Sequence, residues 1–385
     1  MLDTRAGATA CDAPGASIPG ATARAQTAAG RSCDGLSIPA NARAVTGNIT
    51  TVQSGGGYLT LSPADAAQPL AANSNYNANQ ILNNAFTVGL GAGDGAFKIH
   101  VTSDTHVVVD ITGYFAPPGA GGRYFHPLPR PVRLLDTRAG QKACYMPGAP
   151  LPGMTETTQR GQGMCDGMFI PAAAKALAGN ATTVNPGAGY LTMFPADVSR
   201  PPISSSNFQT GEIMNAPFVV GLSATGSFRL YPSAQTHLVI DVLGYYSAEA
   251  LDANGTGLLY TPLSAPVRLL DTRPGATGCY LPATQLPAAT TWTQNARGVC
   301  GPATIPATAL AITGNATVVG PAASGYLTFR PADATRPLVA TSNFISGQIF
   351  NRSFTTGLGK TSGAFKMYSS ATTHLVIDLA GYFAP

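Results

Sequence analysis

This chain is short of charge. Charged side chains make up 10% of its 385 residues, against roughly 25% in an ordinary soluble domain. The net charge of +4 gathers in no cluster. That excludes a nucleic-acid partner, which needs a concentrated basic face. Glutamate occurs only at Glu156, Glu212 and Glu249, and tryptophan only at Trp292. No apolar run approaches the roughly 18 residues of a membrane span. No segment shows the 3.6-residue period of an amphipathic helix of ordinary length. A signal peptide is also absent: Met1 stands directly before Leu-Asp-Thr-Arg, with neither a charged n-region nor an apolar h-region. A removed leader and a partial chain are the alternatives this leaves.

What is present is 44% apolar residues, enough for a core, together with 44 Gly and 31 Pro. The chain also repeats itself. Leu2-Asp3-Thr4-Arg5 recurs as Leu135-Asp136-Thr137-Arg138 and as Leu270-Asp271-Thr272-Arg273. Each copy then passes the same landmarks in order: Ile-Pro-Ala, Gly-Asn-x-Thr, Gly-Tyr-Leu-Thr, Pro-Ala-Asp, Ser-Asn-aromatic, and a closing Thr-His-x-Val-x-Asp-x-x-Gly-Tyr-aromatic. The Asp residues of the first motif are 133 and 135 apart. That is far too long for a solenoid unit and the right size for a domain.

The expectation is therefore a string of three tandem homologous domains: 1–116, 124–247 and 258–385. Short Pro/Gly-rich or small-residue linkers at 117–123 and 248–257 separate them. The closing segment from His237 to Tyr246 is rich in β-branched and aromatic residues and nearly continuous in apolar character, as a doubly buried strand should be. Frequent Ile-Pro and Phe-Pro steps exclude long helices. Short strand candidates between Gly, Pro, Asn and Ser clusters predict an all-β fold, three β-sandwich or barrel-like domains.

Six cysteines fall two to a repeat: Cys11 and Cys33, Cys144 and Cys165, Cys279 and Cys300. Repeat symmetry selects one intradomain disulfide each from the fifteen possible connectivities. A two-cysteine set lacks the ligands of a zinc site. Disulfides imply an oxidising compartment, hence an extracellular or cell-surface protein.

The second and third repeats are preceded by matching segments that end in Pro131-Val132-Arg133-Leu134 and Pro266-Val267-Arg268-Leu269. The first has no counterpart. Its domain is expected to be one strand short, with an open edge of the kind that admits β-augmentation. A truncated start and head-to-tail self-association are the competing explanations.

Asp3, Asp136 and Asp271 can each pair with the Arg two residues on (Arg5, Arg138, Arg273), because i and i+2 share a strand face. An internal network is the main reading, and a sugar or ion site the alternative. His106/Asp110, His237/Asp241 and His374/Asp378 share a face but lie about 13 Å apart at ~3.3 Å per residue, too far for a catalytic dyad. They read as structural, with the His capping a turn. No Glu recurs in register and no Gly-x-Ser-x-Gly elbow occurs, so paired-carboxylate and serine-nucleophile chemistry have no candidates. Asn48, Asn180, Asn315, Asn254 and Asn351 match the glycosylation acceptor pattern. At the first three, the Gly-Asn-x-Thr context also fits a structural turn. Trp292, which has no repeat equivalent, is a sugar-stacking ring or a lid on a small core.

The motif set, from Leu-Asp-Thr-Arg through Gly-Tyr-Leu-Thr, Pro-Ala-Asp and Ser-Asn-Phe to Thr-His-Leu-Val-Ile-Asp-x-x-Gly-Tyr-Phe, resembles a tandem repeat domain of secreted bacterial proteins, actinobacterial ones notably. It often stands there beside hydrolase or cell-wall modules. The resemblance implies a secreted β-rich surface or accessory module of no established activity, and it carries over no catalytic residue, cofactor or metal. These residues include no appended enzyme, which favours a structural role. The expected function is a non-enzymatic extracellular structural protein that self-associates head to tail or into filaments, with no membrane span. The alternative is a carbohydrate- or cell-wall-binding module using three weak sites, since repetition serves avidity better than chemistry.

Overall fold

A computed structural model describes residues 1–52, 55–119, 121–252 and 255–385. Among them there is no helix, and hence none long and apolar enough to cross a membrane. The strands form six four-stranded antiparallel sheets, two per repeat, set in a propeller-like ring.

The first sheet of repeat 2 has the order Tyr124–Asp136 (leading strand), His237–Ser247 (closing strand), Ala174–Val184 (middle strand) and Ile213–Gly221 (axial strand). Repeat 3 matches it with Leu259–Asp271, His374–Ala384, Ala311–Val319 and Ile349–Gly357. Repeat 1 has only Leu2–Asp3 in the leading place, then His106–Phe115, Ala44–Val52 and Leu82–Gly89. The second sheet of each repeat faces the first. In repeat 1, Val45, Ile49, Val107 and Val109 from one sheet share a core with Leu59, Leu61, Phe97 and Ile99 from the other. Period-2 alternation produces this: every second side chain of each strand points inward.

The repeats are not three separate sandwiches on a string. One apolar cluster runs from repeat 1 into repeat 2 and takes in Phe350 of repeat 3. The ring closes cyclically. The short strand Ser74–Tyr76 packs on the axial strand of repeat 3, Ser206–Phe208 on that of repeat 1, and Ser342–Phe344 on that of repeat 2. The closing strands of repeats 2 and 3 are buried on both faces, and that of repeat 1 alternates and is half-exposed towards its end. The outer face of the first sheet carries Asn, Thr and Ser that bury against the next repeat, where Asn48, Asn180, Asn215 and Asn351 donate hydrogen bonds across the junction.

The segment 248–257 is also more than a spacer. Leu251–Asp252 pairs with Gly255–Thr256, and Leu258 exchanges two backbone hydrogen bonds of 2.8 and 2.9 Å with Phe125. Ala120, Ala253 and Asn254, which fall in the two expected linkers, lie outside the described residues.

The disulfides are Cys11–Cys33, Cys144–Cys165 and Cys279–Cys300, with Cα atoms 5.8, 5.5 and 5.5 Å apart. In every repeat the second cysteine ends the first strand of a small hairpin: Ser32–Cys33 with Leu36–Ser37, Gly163–Cys165 with Met168–Ile170 and Gly298–Cys300 with Ala303–Ile305.

Candidate functional site

The Asp-Thr-Arg motif forms the turn that leaves the leading strand. Asp136 accepts the backbone N–H of Arg138 at 3.1 Å, its Nε at 2.9 Å and its Nη2 at 2.7 Å. Asp3 with Arg5 and Asp271 with Arg273 repeat the arrangement. The buried Thr between them accepts a backbone N–H of the closing strand at 2.8 Å: Val107 to Thr4, Leu238 to Thr137, Leu375 to Thr272. The His of each closing strand meets the same turn. His106 Nδ1 lies 2.9 Å from the Thr4 carbonyl, His374 Nδ1 lies 3.0 Å from that of Thr272, and His237 Nδ1 lies 3.2 Å from the Thr137 hydroxyl. These three side chains tie the first and last strands of each repeat together over about a hundred residues of chain.

Asp241 and Asp378 are held by residues that the sequence reading passed over. Arg133 donates to Asp241 through Nε at 2.9 Å and Nη2 at 3.3 Å, and its Nη1 lies 3.4 Å from Asp136. Arg268 does the same for Asp378 and Asp271. The result is an alternating row, Asp241–Arg133–Asp136–Arg138. Its only advance signal was an Arg three residues before each of the last two motif Asp residues. Burial works to raise the Asp136 and Asp271 carboxyls, but hydrogen bonds from Arg138 and Arg273 outweigh it and both are lowered. Asp3 is lowered chiefly by Arg5. For Asp241 and Asp378 burial wins and raises them against the pull of Arg133 and Arg268.

Asp110 is different. Among the described residues it has no guanidinium bonded to it. Burial pushes it up to about 6, the neighbouring Asp3 adds to this, and the Met1 ammonium and Arg5 pull the other way.

The Gly and Asn of Gly-Asn-x-Thr have separate duties. A β-bulge brings the carbonyl of the facing Asp over the glycine. A methyl group would fall 2.0 Å from Asp110 O at Gly47, 2.1 Å from Asp241 O at Gly179 and 1.9 Å from Asp378 O at Gly314. The neighbouring Asn48 and Asn180 are buried and reach across the junction, each donating at 3.4 Å to a carbonyl of the next repeat, Ser204 and Ala340. Asn315 is equally buried. Asn351 clamps repeat 1 to repeat 3: it donates to Ala72 O at 2.8 Å and accepts from Asn75 N at 3.0 Å. All four of these side chains are buried in the folded ring. Asn254 lies outside the described residues.

Where the three axial strands meet, Arg352 is almost wholly buried at 1% exposure. Its Nη1 donates to Asn83 O at 3.0 Å, Nη2 touches the Met214 sulfur, and the guanidinium lies 4.2 Å from the Phe350 ring centre. Burial pulls it down to about 9, so it stays protonated at neutral pH. Beside the axis is a cavity of ≈ 60 Å³ lined by Thr46, Thr87, Thr313 and Thr355 with Phe86 and Phe354. Among the described residues its wall holds no carboxylate, imidazole or ammonium to drive acid–base chemistry.

On the outer face of the second sheets, the tyrosine of Gly-Tyr-Leu-Thr is exposed in every repeat, 40% at Tyr58, 38% at Tyr190 and 36% at Tyr326. Tyr190 stands 6.1 Å from Tyr231, over which Arg200 lies at 3.6 Å; Tyr326, Tyr368 and Arg336 repeat this at 5.8 and 4.0 Å. In repeat 1, His100 and Gln68 take the second and third places, 3.0 Å apart. Trp292 is partly buried against the core of repeat 3. Cys11, Cys33 and Asp34 bring donor atoms within 4.8 Å of one another, but both sulfurs are spent in a disulfide.

No protein-family model matches the chain, and no curated protein does. Among solved structures, a chain from the atomic structure of Sulfolobus turreted icosahedral virus is similar over 89% of this chain and 79% of its own, at 11% identity and a TM-score of 0.16. So low a score carries no argument.

Proposed function

We propose that this is a non-enzymatic extracellular structural protein, a surface or filament-forming subunit. Its three repeats, bounded at 1–116, 124–247 and 258–385, are duplicated units of one ring. The observation that carries the reading is how the recurrent acid and base groups are used. Asp, Arg and His of the repeated motifs are spent on turns, strand-to-strand ion pairs and junctions, and a disulfide staples each repeat. Catalysis needs such groups aimed into a cleft with room for a substrate. The disulfides fit an oxidising compartment outside the cell. Negative-stain microscopy of the native material tests the proposal. Regular fibres or a surface layer support it, and monodisperse rings under all conditions sink it.

A second reading, a carbohydrate- or cell-wall-binding module, is favoured by exposed Tyr190, which stands near Tyr231 and its Arg200, and by the same trio at Tyr326, Tyr368 and Arg336; repeat 1 keeps only the exposed Tyr58. Rings beside a guanidinium suit a sugar face, and repeated weak sites gain by avidity. Pull-down on insoluble polysaccharide, lost in a Tyr58→Ala/Tyr190→Ala/Tyr326→Ala variant, distinguishes it.

A further inference from the structure

The second sheet of repeat 3 has the order Thr290–Asn295, Ala364–Ser369, Gly325–Pro331 and Ser342–Phe344. Its core-facing side chains include Leu327, Phe329, Phe365 and Met367. Strand alternation therefore puts Tyr326, Thr328 and Arg330 on the outer face with Lys366 and Tyr368. The register sets Arg330 opposite Lys366 and Thr328 opposite Tyr368. Arg336, from the segment after Pro331, lays its guanidinium over the Tyr368 ring at 4.0 Å, and the exposed Tyr326 stands 5.8 Å from that ring. We propose that this face is a binding site for an acidic polysaccharide, one whose sugar rings carry carboxylate groups.

Charge sets this face apart. The fold gathers three cations, and among the described residues no carboxylate lies within ion-pair distance of Arg330, Arg336 or Lys366. Arg330 is 7% exposed. Its Nε is spent on the Ala334 carbonyl at 3.2 Å, and its Nη1 is buried without a hydrogen-bond partner among the described residues. Burial, and then the neighbouring Arg336, pull the Arg330 guanidinium below its usual range. An anion brought up beside such a cluster relieves a charge that nothing in the protein compensates.

Repeat 2 shows the contrast. There Phe194 stands opposite Arg229, where repeat 3 has Arg330 opposite Lys366. Arg229 is neutralised by Glu156 at 3.0 Å. The residue aligned with Glu156 in repeat 3 is Thr291, since Thr157 pairs with Leu230 as Trp292 pairs with Met367. Repeat 3 thus keeps the base, adds another on the facing strand and lacks the acid. In repeat 1 the corresponding Lys98 lies opposite Ser62 and donates to the Ala66 carbonyl at 3.2 Å.

The occupant follows from what surrounds the cations. A guanidinium grips a carboxylate at two points, as Arg138 grips Asp136 in this chain. The Tyr326 ring offers a face on which a sugar can stack. Thr291 and Thr293, exposed on the adjoining strand opposite Tyr368 and Lys366, add hydroxyls at the rim. A sheet face is open and suits a polymer that lies along it, whereas a small molecule needs a concave site. The inference rests on the sugar-binding reading and narrows it to one repeat and one charge class.

The test is anisotropy of a fluorescein-labelled oligogalacturonate titrated with the 385-residue chain at pH 7 and about 0.15 M salt, where exposed charges on other repeats are largely screened. Saturable binding is expected. It should weaken by about fivefold or more in Arg336→Gln, Lys366→Gln or Thr291→Glu. Lys175→Gln removes the same charge from an exposed site on repeat 2 and should change binding by less than about twofold. Melting curves matched to the parent show that each variant keeps its fold. The fully methyl-esterified oligomer has the rings without the charge, poly-L-glutamate has the charge without the rings, and each should bind about tenfold more weakly or worse. Equal binding of the esterified oligomer overturns the inference and leaves the sugar-binding reading standing. Equal binding of poly-L-glutamate overturns it in favour of an acidic protein partner. A loss in Lys175→Gln as large as in Lys366→Gln overturns it too, as general attraction. Absence of saturable binding to either oligomer overturns it, and the sugar-binding reading then stands or falls on the neutral polysaccharide pull-down alone.

Discussion

Arg133 and Asp241 meet across the strands that open and close repeat 2, joined by Nε–Oδ1 at 2.9 Å and Nη2–Oδ2 at 3.3 Å. They are 108 residues apart in sequence. The pair makes the first strand of repeat 2 depend on its last, and Arg268 with Asp378 does the same in repeat 3.

Removing one partner of such a buried pair leaves a charge with nothing to compensate it. Arg133→Ala is expected to cost about 3–5 kcal/mol, read from urea unfolding at pH 7. Because Asp241 is raised by burial, the cost should shrink at pH 5, where the lone carboxyl can take a proton. The double variant Arg133→Met/Asp241→Leu should recover most of the loss. If it is as unstable as the single variant, the charge is not what Arg133 compensates.

Asp110 makes repeat 1 sensitive to pH in the opposite sense from an ordinary salt bridge. Its folded value of about 6 lies above the unfolded 3.8. Its favourable contribution is therefore complete at low pH and lost as pH rises through about 6. The difference corresponds to at most about 3 kcal/mol. The groups facing it are the Met1 ammonium, Asp3 and Arg5. Asp110→Asn should match the parent near pH 4 and melt higher at pH 7.5; parallel melting curves from pH 4 to 8 would argue against this account.

Gly179 lies under the Asp241 carbonyl, and a methyl there would sit 2.1 Å from it and 2.9 Å from the Phe218 ring. The Asp241 carbonyl is backbone and cannot retreat without disturbing the sheet, so Gly179→Ala should cost about 3 kcal/mol or more by overpacking. Gly140→Ala is the control: nothing lies within 4 Å, but its φ is +72°, so only backbone strain of about 1 kcal/mol is expected. Chemical denaturation of the two variants side by side decides the ranking.

Arg352 is buried at the axis with its Nε unsatisfied. A methionine of similar length keeps the contact with Phe350 and removes the desolvated charge. Arg352→Met should therefore be neutral or raise stability by as much as about 2 kcal/mol. A large loss in a thermal melt would instead mean that the bond to the Asn83 carbonyl anchors the axis.

Each disulfide closes a loop of 21 or 22 residues, worth about 3 kcal/mol in the chain-entropy picture. Cys144→Ala/Cys165→Ala should lower the midpoint in guanidinium accordingly and leave the sheets of the other repeats folded. Hydrogen exchange would report the loosened hairpin at Gly163–Cys165 and Met168–Ile170 directly.

Much of this architecture was legible in the sequence. The triplication, the all-β class and the cysteine pairing follow from motif order, strand-forming runs and the symmetry of two cysteines per repeat. The pairing of Asp136 with Arg138 was expected from a shared strand face, but the strand ends at Asp136 and a turn makes the pair, with Asp136 accepting both the backbone N–H and the guanidinium of Arg138. Those features depend on residues close together in the chain or on counting copies. Ring closure, the Arg133–Asp241 pair, the crowding at Gly179 and the burial of Asn180 and Asn351 do not. Asn, Thr and Ser on the outer sheet face have the hydropathy of a solvated surface. At Asn48, Asn180, Asn215 and Asn351 a carbonyl from another repeat, more than a hundred residues away, takes the amide N–H that burial removes from water. Local pattern determines which residues can form a strand and which way they face. What covers the far face is decided by packing partners that sequence distance hides, and here that decision turned three similar repeats into one closed ring.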